Sequence, residues 1–237
     1  GRFEPLRAIR AEFYSFFLFS ITGLMLSAGS DDLIMLFLAL ELTSLPTYVM
    51  VSVSTSRNRS MEAGVKYFFL GALGAAVFLY GFALIYGGTG HTHFAGIQSA
   101  IAAQVASGGA PNTLGMAGPI LSVLGIGFTI AAVPLHFYTP DVYPGSSSPM
   151  AAFLAFVPKA AGFFAILSLV SLAGRGFGAG GTSLPEPLRT IVFAVAVLTM
   201  TVGNVLAILQ TSVKRILAYS SIAHSGYMLV GVIAGPG

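Results

Sequence analysis

Charge is scarce in this chain. Only 8% of its 237 residues are Asp, Glu, Lys or Arg, against about 25% in a soluble domain. Between Tyr67 and Pro140 there is none. A water-facing fold needs a charged surface, so the composition excludes a soluble domain and points to an integral membrane protein. Cysteine is absent, which removes disulfides, thiolate metal ligands and iron–sulfur ligation from this chain. Tryptophan is absent too, leaving tyrosine and arginine to anchor the chain at the membrane surface. The alternating segments of a membrane β-barrel are missing as well, because the apolar runs are continuous. The net charge of +3 reflects arginines near the ends of those runs. It marks no nucleic-acid surface.

What is present is 55% hydrophobic residues, with 19 Phe, 29 Gly and 12 Pro. That mixture predicts an all-α membrane protein with interrupted helices. Charge-poor stretches of about 18 or more residues mark the spans. They fall at 13–30, 33–56, 63–86, about 115–137, 149–174, 188–212 and 215–235 within one membrane domain, 1–237. Segment 87–113 is rich in Gly and Ala and reads as a non-cytoplasmic surface loop with a short interfacial helix. Threading the spans puts Arg2, Arg7, Arg10, Arg57, Arg59, Lys214 and Arg215 on one side of the bilayer. Arg175 and Arg189 fall on the other, with Asp31, Asp32 and Glu186, both aspartates reading as a solvated span boundary. This positive-inside bias predicts a cytoplasmic N-terminus. Residues 1–12 are polar and mixed in charge, unlike a cleavable leader. A glycine start and an end inside an apolar run read as an internal piece of a longer protein.

Three titratable side chains lie deep in the apolar runs. Glu41 is nine residues past Asp32, Lys159 ten past Pro149 and His224 ten past Lys214. At helical rise each sits roughly 13–15 Å from the nearest polar boundary, about half the thickness of a hydrocarbon core. An ionisable group there costs roughly 2.5–3.5 kcal/mol on insertion scales, so its default reading is functional. Lys66 lies shallower, seven residues past Arg59. Glu41 and Lys66, on consecutive antiparallel helices, come within roughly 7 Å of one level and are expected to pair. Glu62, one turn before Lys66, competes as a partner and reads as interfacial. His224 has Ser220, Ser221 and Ser225 as sequence neighbours. His91 and His93 form an HxH without a third ligand at useful spacing and read as solvated.

Residues 133–149, VPLHFYTPDVYPGSSSP, place four prolines and Asp141 directly after an apolar run. Each internal proline removes a backbone hydrogen bond and disfavours helix in the residue before it. A break of this kind survives in lipid only where protein or trapped water satisfies the freed carbonyls, as at the ion sites of transporters. His136 sits in the break. The plainer reading makes the same stretch a loop between two spans.

The run FTIAAVPLHFYTPDVYPGSSSPMAAFLAFVPKAAGFF at 128–164 resembles the signature of subunit N of proton-pumping NADH:quinone oxidoreductase, respiratory complex I. So do LFLALELTSLPTYVMV at 36–51, RSMEAGVKYFFLGALGAAVFLYGFALIYGGTG at 59–90 and QTSVKRILAYSSIAHSGYMLVGVI at 210–233. The resemblance implies a fourteen-helix antiporter-like subunit built from two inverted five-helix repeats, of which this chain looks like helices four to ten. It implies a central axis of proton-carrying groups, matched here by Glu41, Lys66 and Lys159, with His136 in the broken helix and His224 on helix ten. Thr129 stands where the family has its helix-seven lysine. A hydroxyl can join a water wire but carries no proton as charge near neutral pH. The lysine of helix twelve lies beyond this chain. Pro158, beside Lys159, also departs from the family pattern.

Implied with the resemblance are a bacterial plasma-membrane location, other membrane subunits of complex I as partners, and a translocase role with no redox centre in this chain. NADH, flavin, iron–sulfur clusters and quinone are expected in partner subunits. Two other readings fit the same residues: a subunit of a multisubunit sodium/proton antiporter or membrane-bound hydrogenase, and a non-pumping structural spacer.

Overall fold

The computed structural model describes residues 10–55, 58–106, 113–177 and 184–234. Arg2, Arg7 and Arg57 lie outside these, as does the side chain of Arg175. The described residues form nine helices: α1 (Arg10–Gly29), α2 (Leu33–Val53), α3 (Asn58–Thr89), α4 (Phe94–Ala106), α5 (Thr113–Ile126), α6 (Thr139–Gly145), α7 (Ser148–Phe177), α8 (Glu186–Ile208) and α9 (Val213–Ala234). Six of them, α1, α2, α3, α7, α8 and α9, are long and apolar enough to cross a membrane.

The run read as one span over 115–137 is divided. α5 ends at Ile126, and residues 127–138 follow as turns. The break therefore opens at Gly127, ahead of Pro134, where proline chemistry alone placed it. Its backbone shows why. The N–H groups of Phe128 and Thr129 reach back only three residues, to Gly125 and Ile126, so the helix tightens. Ala131 then turns left-handed, with φ of 57°. Ala132 N–H donates to the Gly127 carbonyl at 2.7 Å and Ala131 N–H to that of Phe128 at 2.9 Å. This paired closure is the Schellman pattern that ends helices. Pro134, lacking an N–H, prevents a restart. The freed Val133 N–H donates instead to Thr199 Oγ1 on α8, at 3.0 Å. The chain becomes helical again only in α6, with Pro140 in its first turn, where a missing N–H costs nothing.

Elsewhere prolines are tolerated: α7 runs for 30 residues through Pro158. Segment 87–113 is less loop-like than its composition suggests, since α3 continues to Thr89 and α4 packs against α7. α3 and α5 meet through small residues. A Cβ on Gly81 would meet Ser122 N at 2.5 Å, and one on Gly118 would meet Ile85 N at 2.8 Å. Such close backbone approach is how helices associate in lipid, where hydrophobicity supplies little drive. α7 is the hub, touching α1, α2, α4, α5, α6 and α9. Its Ala161, Ala165, Ile166 and Leu169 are fully buried.

Asp32 is not a merely solvated boundary. It caps α2, accepting from Ile34 N at 2.8 Å and Met35 N at 3.4 Å, and its other oxygen accepts from the Thr92 hydroxyl at 2.7 Å. Leu33 N–H adds a bond to the Thr92 carbonyl, and His93 Nε2 lies 3.7 Å from Asp31 Oδ2. Partial burial pushes the Asp32 carboxyl up, but the bonds from Thr92, Ile34 and Met35 outweigh it and hold the group below the ordinary carboxylate value. A depressed folded-state pKa contributes stability above the ordinary carboxylate range, and that contribution is lost as pH falls through the depressed value.

Two outcomes follow for thermal unfolding of the detergent-solubilised full-length protein. Ala131→Gly is expected to raise the midpoint, by relieving roughly 1–2 kcal/mol of left-handed strain at a residue bearing a Cβ; an unchanged or lower midpoint would show no strain there. Asp32→Ala is expected to lower the midpoint at neutral pH by an amount matching about 0.5–2 kcal/mol for a lost cap. That deficit should shrink as pH falls through the native carboxylate's depressed pKa, below which the native group is itself protonated.

Candidate functional site

Lys159, about one turn before the middle of α7, is 4% exposed. Its ammonium meets α9, donating to the Ser221 carbonyl at 2.7 Å, Ser221 Oγ at 2.8 Å and Ser225 Oγ at 3.0 Å. These three acceptors match the three donors of a protonated lysine. Among the described residues no carboxylate pairs with it. The Ser221 hydroxyl can also turn its proton toward a neutral amine, so the pocket accommodates either protonation state. Ser225 passes the contact on by donating to the Ile130 carbonyl at 2.6 Å. That carbonyl belongs to the break, where the helical partner is lost. Lysine, α9 and broken segment are thus joined by one polar link inside an otherwise apolar bundle.

The broken segment lies directly against α7. A Cβ on Gly162, three residues past Lys159, would meet Ile130 Cγ2 at 2.7 Å and Thr129 Cβ at 3.2 Å. Glycine is needed there for the segment to approach. Thr129 is buried close to the lysine's own helix turn. His136 is buried also, with Nδ1 lacking a hydrogen-bond partner and its ring 4.5 Å from that of Phe137. On its other side the break borders an apolar cavity of about 250 Å³ lined by Val123, Ile166, Val192 and Leu229.

The expected Glu41–Lys66 pair is not formed. Lys66 Nζ lies 2.8 Å from Glu62 and 3.3 Å from Asp141 of α6, which also approaches Arg215 at 3.9 Å. Lys66 is close enough to the start of α3 for its long side chain to reach the polar end of the bundle, where water lowers the cost of its charge. Glu41, at mid-α2, is half-buried and has no ion pair among the described residues. The Lys66 cluster lines a cavity of about 340 Å³ together with Arg59, Pro144, Gly145 and Arg215. His224 is exposed on the outer face of α9, its Nδ1 2.7 Å from the Ser220 carbonyl. It does not join Lys159; its neighbours Ser221 and Ser225 do.

Ser221, Ser225 and the ion-pairing role of Asp141 went unread in the sequence as partners of the lysines. The weak signal available was spacing. Ser221 and Ser225 are four residues apart, so they share one helix face.

A many-helix membrane bundle with a buried lysine tied to a broken helix is the architecture of antiporter-like membrane subunits. The chain belongs to the NADH:quinone oxidoreductase/Mrp antiporter transmembrane family, whose sequence profile matches residues 30–236. NADH-quinone oxidoreductase subunit N of Trichlorobacter lovleyi is 48% identical over 94% of the chain, and that of Myxococcus xanthus is 45% identical over 97%. The match spans 44% and 43% of those two proteins, less than half their length. The resemblance to subunit N is therefore borne out.

Among solved structures, respiratory complex I from Thermus thermophilus with bound aureothin contains a chain of 38% identity and TM-score 0.77, covering 96% of this chain and 46% of that one. A chain of an archaeal membrane-bound sulfane sulfur reductase has 27% identity and TM-score 0.81, covering 98% and 45%. One from the Mrp complex of a Dietzia species shares the fold at 22% identity and TM-score 0.77, covering 92% and 38%.

Ser225→Ala is expected to leave the buried Ile130 carbonyl without its donor and Lys159 without one acceptor. The cost should be about 1–3 kcal/mol, read as a lowered thermal midpoint. An unchanged midpoint would show that the link contributes nothing to stability.

Proposed function

We propose that this chain is part of a proton-translocating membrane subunit of respiratory NADH:quinone oxidoreductase, with Lys159 as its central proton carrier. The observation that carries this reading is the lysine itself. It is buried, unpaired with any described acid, and held by two serine hydroxyls, of which that of Ser221 suits both its charged and neutral forms. A group that is easily made neutral and then charged again, deep in an apolar bundle, is what a proton path requires.

Lys66, Thr129 and His136 are the candidates for exchange with it through the break. Glu41 and His224 project to faces of the described bundle where further helices or neighbouring subunits would meet them. The complex I relatives support other membrane subunits as partners, a bacterial plasma-membrane location and redox cofactors (NADH, flavin, iron–sulfur clusters and quinone) housed outside this chain. The positive-inside bias supports a cytoplasmic N-terminus. Quinone reduction elsewhere would supply the free energy as a conformational or electrostatic change.

A second reading, a subunit of a sodium/proton antiporter or hydrogenase-type complex, has the 27% identical archaeal neighbour in its favour. The 48% and 45% identities to subunit N weigh against it. The replacement of a family lysine by Thr129 is what favours a non-pumping spacer.

Lys159→Ala in the full-length protein is expected to lower proton pumping several-fold in inside-out vesicles while the complex still assembles. Lys159→Arg should not restore it, because a guanidinium does not give up its proton. Native pumping by an assembled Lys159→Ala complex would overturn the proposal.

A further inference from the structure

We propose that Tyr143 and Ser221 form a hydroxyl relay along the α6–α9 seam, carrying protons between the charged cavity at the bundle end and Lys159. The inference rests on the proton-carrying reading of Lys159 and adds the route by which that lysine is reached.

Beside the bond from Lys214 Nζ to the carbonyl of Ser146, the cap of α6, at 2.9 Å, two polar contacts cross this seam. At the cavity end Asp141 of α6 faces Arg215 of α9 at 3.9 Å. Deeper in, Tyr143 Oη lies 3.5 Å from Ser221 Oγ. Ser221 Oγ is in turn 2.8 Å from Lys159 Nζ. From Arg215 to Ser221 is six residues of α9, roughly 9 Å of helical rise. The two contacts therefore step inward from the cavity to the lysine. Tyr143 is 5% exposed, packed in a core cluster with Met150, Leu154, Ala218 and Ile222. It is flanked in sequence by Val142 and by Pro144, which lines the cavity.

Ser221 is the more adaptable of the lysine's two serines. Ser225 has its proton committed to the Ile130 carbonyl at 2.6 Å and bonds again to the Ser221 carbonyl at 3.1 Å. The Ser221 hydroxyl has the lysine on one side and the tyrosine hydroxyl on the other. A hydroxyl both donates and accepts, so it can pass a proton on without holding charge.

The step balances. Water of the cavity, exchanging protons with the Asp141 carboxylate, gives a proton to Tyr143 Oη. The phenolic proton moves to Ser221 Oγ, and the serine proton moves to the neutral Lys159 amine. One proton leaves the cavity and one arrives on Nζ. Both hydroxyls are regenerated and rotate back for the next transfer, and no electron moves.

The test uses the full-length protein in its assembled membrane complex, with proton pumping read by acridine-dye quenching in inside-out vesicles. Tyr143→Phe keeps the ring and its packing but removes the hydroxyl; Ser221→Ala removes the second hydroxyl; Ser221→Thr retains it. Tyr143→Phe and Ser221→Ala are each expected to lower the initial pumping rate several-fold, with Ser221→Thr near native. Native rates for Tyr143→Phe and Ser221→Ala alongside a lowered rate for Lys159→Ala would overturn the relay and leave the proton-carrying reading standing. Equal losses in Ser221→Ala and Ser221→Thr would also overturn it, since packing rather than the hydroxyl would then be at issue. If Tyr143→Phe fails to assemble, the Ser221 pair decides by the same criteria. Native pumping by Lys159→Ala would instead remove the reading on which the relay stands.

Discussion

The contact between Lys159 and the two serines of α9 is the interaction on which the interior depends. A lysine at this depth is tolerated only if its charge is solvated by something other than water, and here α9 provides all three acceptors. The same serines hold α9 against α7. Through Ser225 they also satisfy the Ile130 carbonyl freed where the broken segment leaves helical geometry. The cost of burying an amine and the cost of interrupting a helix in lipid are thus offset at one place. Either feature without the other would leave a buried polar group unmatched.

The break and the lysine are coupled by geometry as well as by hydrogen bonds. Ala131 takes a left-handed conformation to close the helix end, and Gly162 removes the side chain that would hold the segment away from α7. Between them the side chains of Thr129 and Ile130 come to rest against α7 at Gly162, three residues from Lys159. One side of the break faces the serine network, and the other faces an apolar cavity. The result is a narrow polar thread beside an apolar cavity. Confined polarity of this kind suits protons, which move along hydroxyls and single waters, better than hydrated metal ions, which need a wider shell.

Lys66 and Lys159 serve different environments although both lie on apolar helices. Lys66 is near a helix start, half-exposed, and shares Asp141 with Arg215 in a charged cavity. Lys159 is enclosed and, among the described residues, has only neutral partners. The α6–α9 seam joins the two environments, with Asp141 at one end and the Ser221 pair at the other. Thr129, standing where relatives are expected to carry a lysine, keeps the break free of a second buried charge beside Lys159. Glu41 is left without the partner on α3 that its level suggested.

Much of the fold was legible because the bilayer imposes simple rules. Long apolar runs must be helices, the prolines of VPLHFYTPDVYP must interrupt one, and a lysine ten residues from the nearest boundary must be deep; the family resemblance rests on the same residues. The position of the break was read too late in the chain, because a Schellman closure built on Ala131 carries no glycine to announce it. Equal depth does not make Glu41 and Lys66 a pair, because depth fixes only one coordinate, while the direction in which each helix face points fixes the other two. By itself the sequence determined the membrane class, the helical repertoire, the interrupted span and the burial of Lys159, since these follow from hydropathy, proline chemistry and helical rise. Only the tertiary structure decided that Ser221 and Ser225 receive the lysine, that Asp141 receives Lys66 and that His224 faces outward. Those outcomes depend on how helices rotate about their axes and which residues far apart in sequence meet, and local pattern does not encode that.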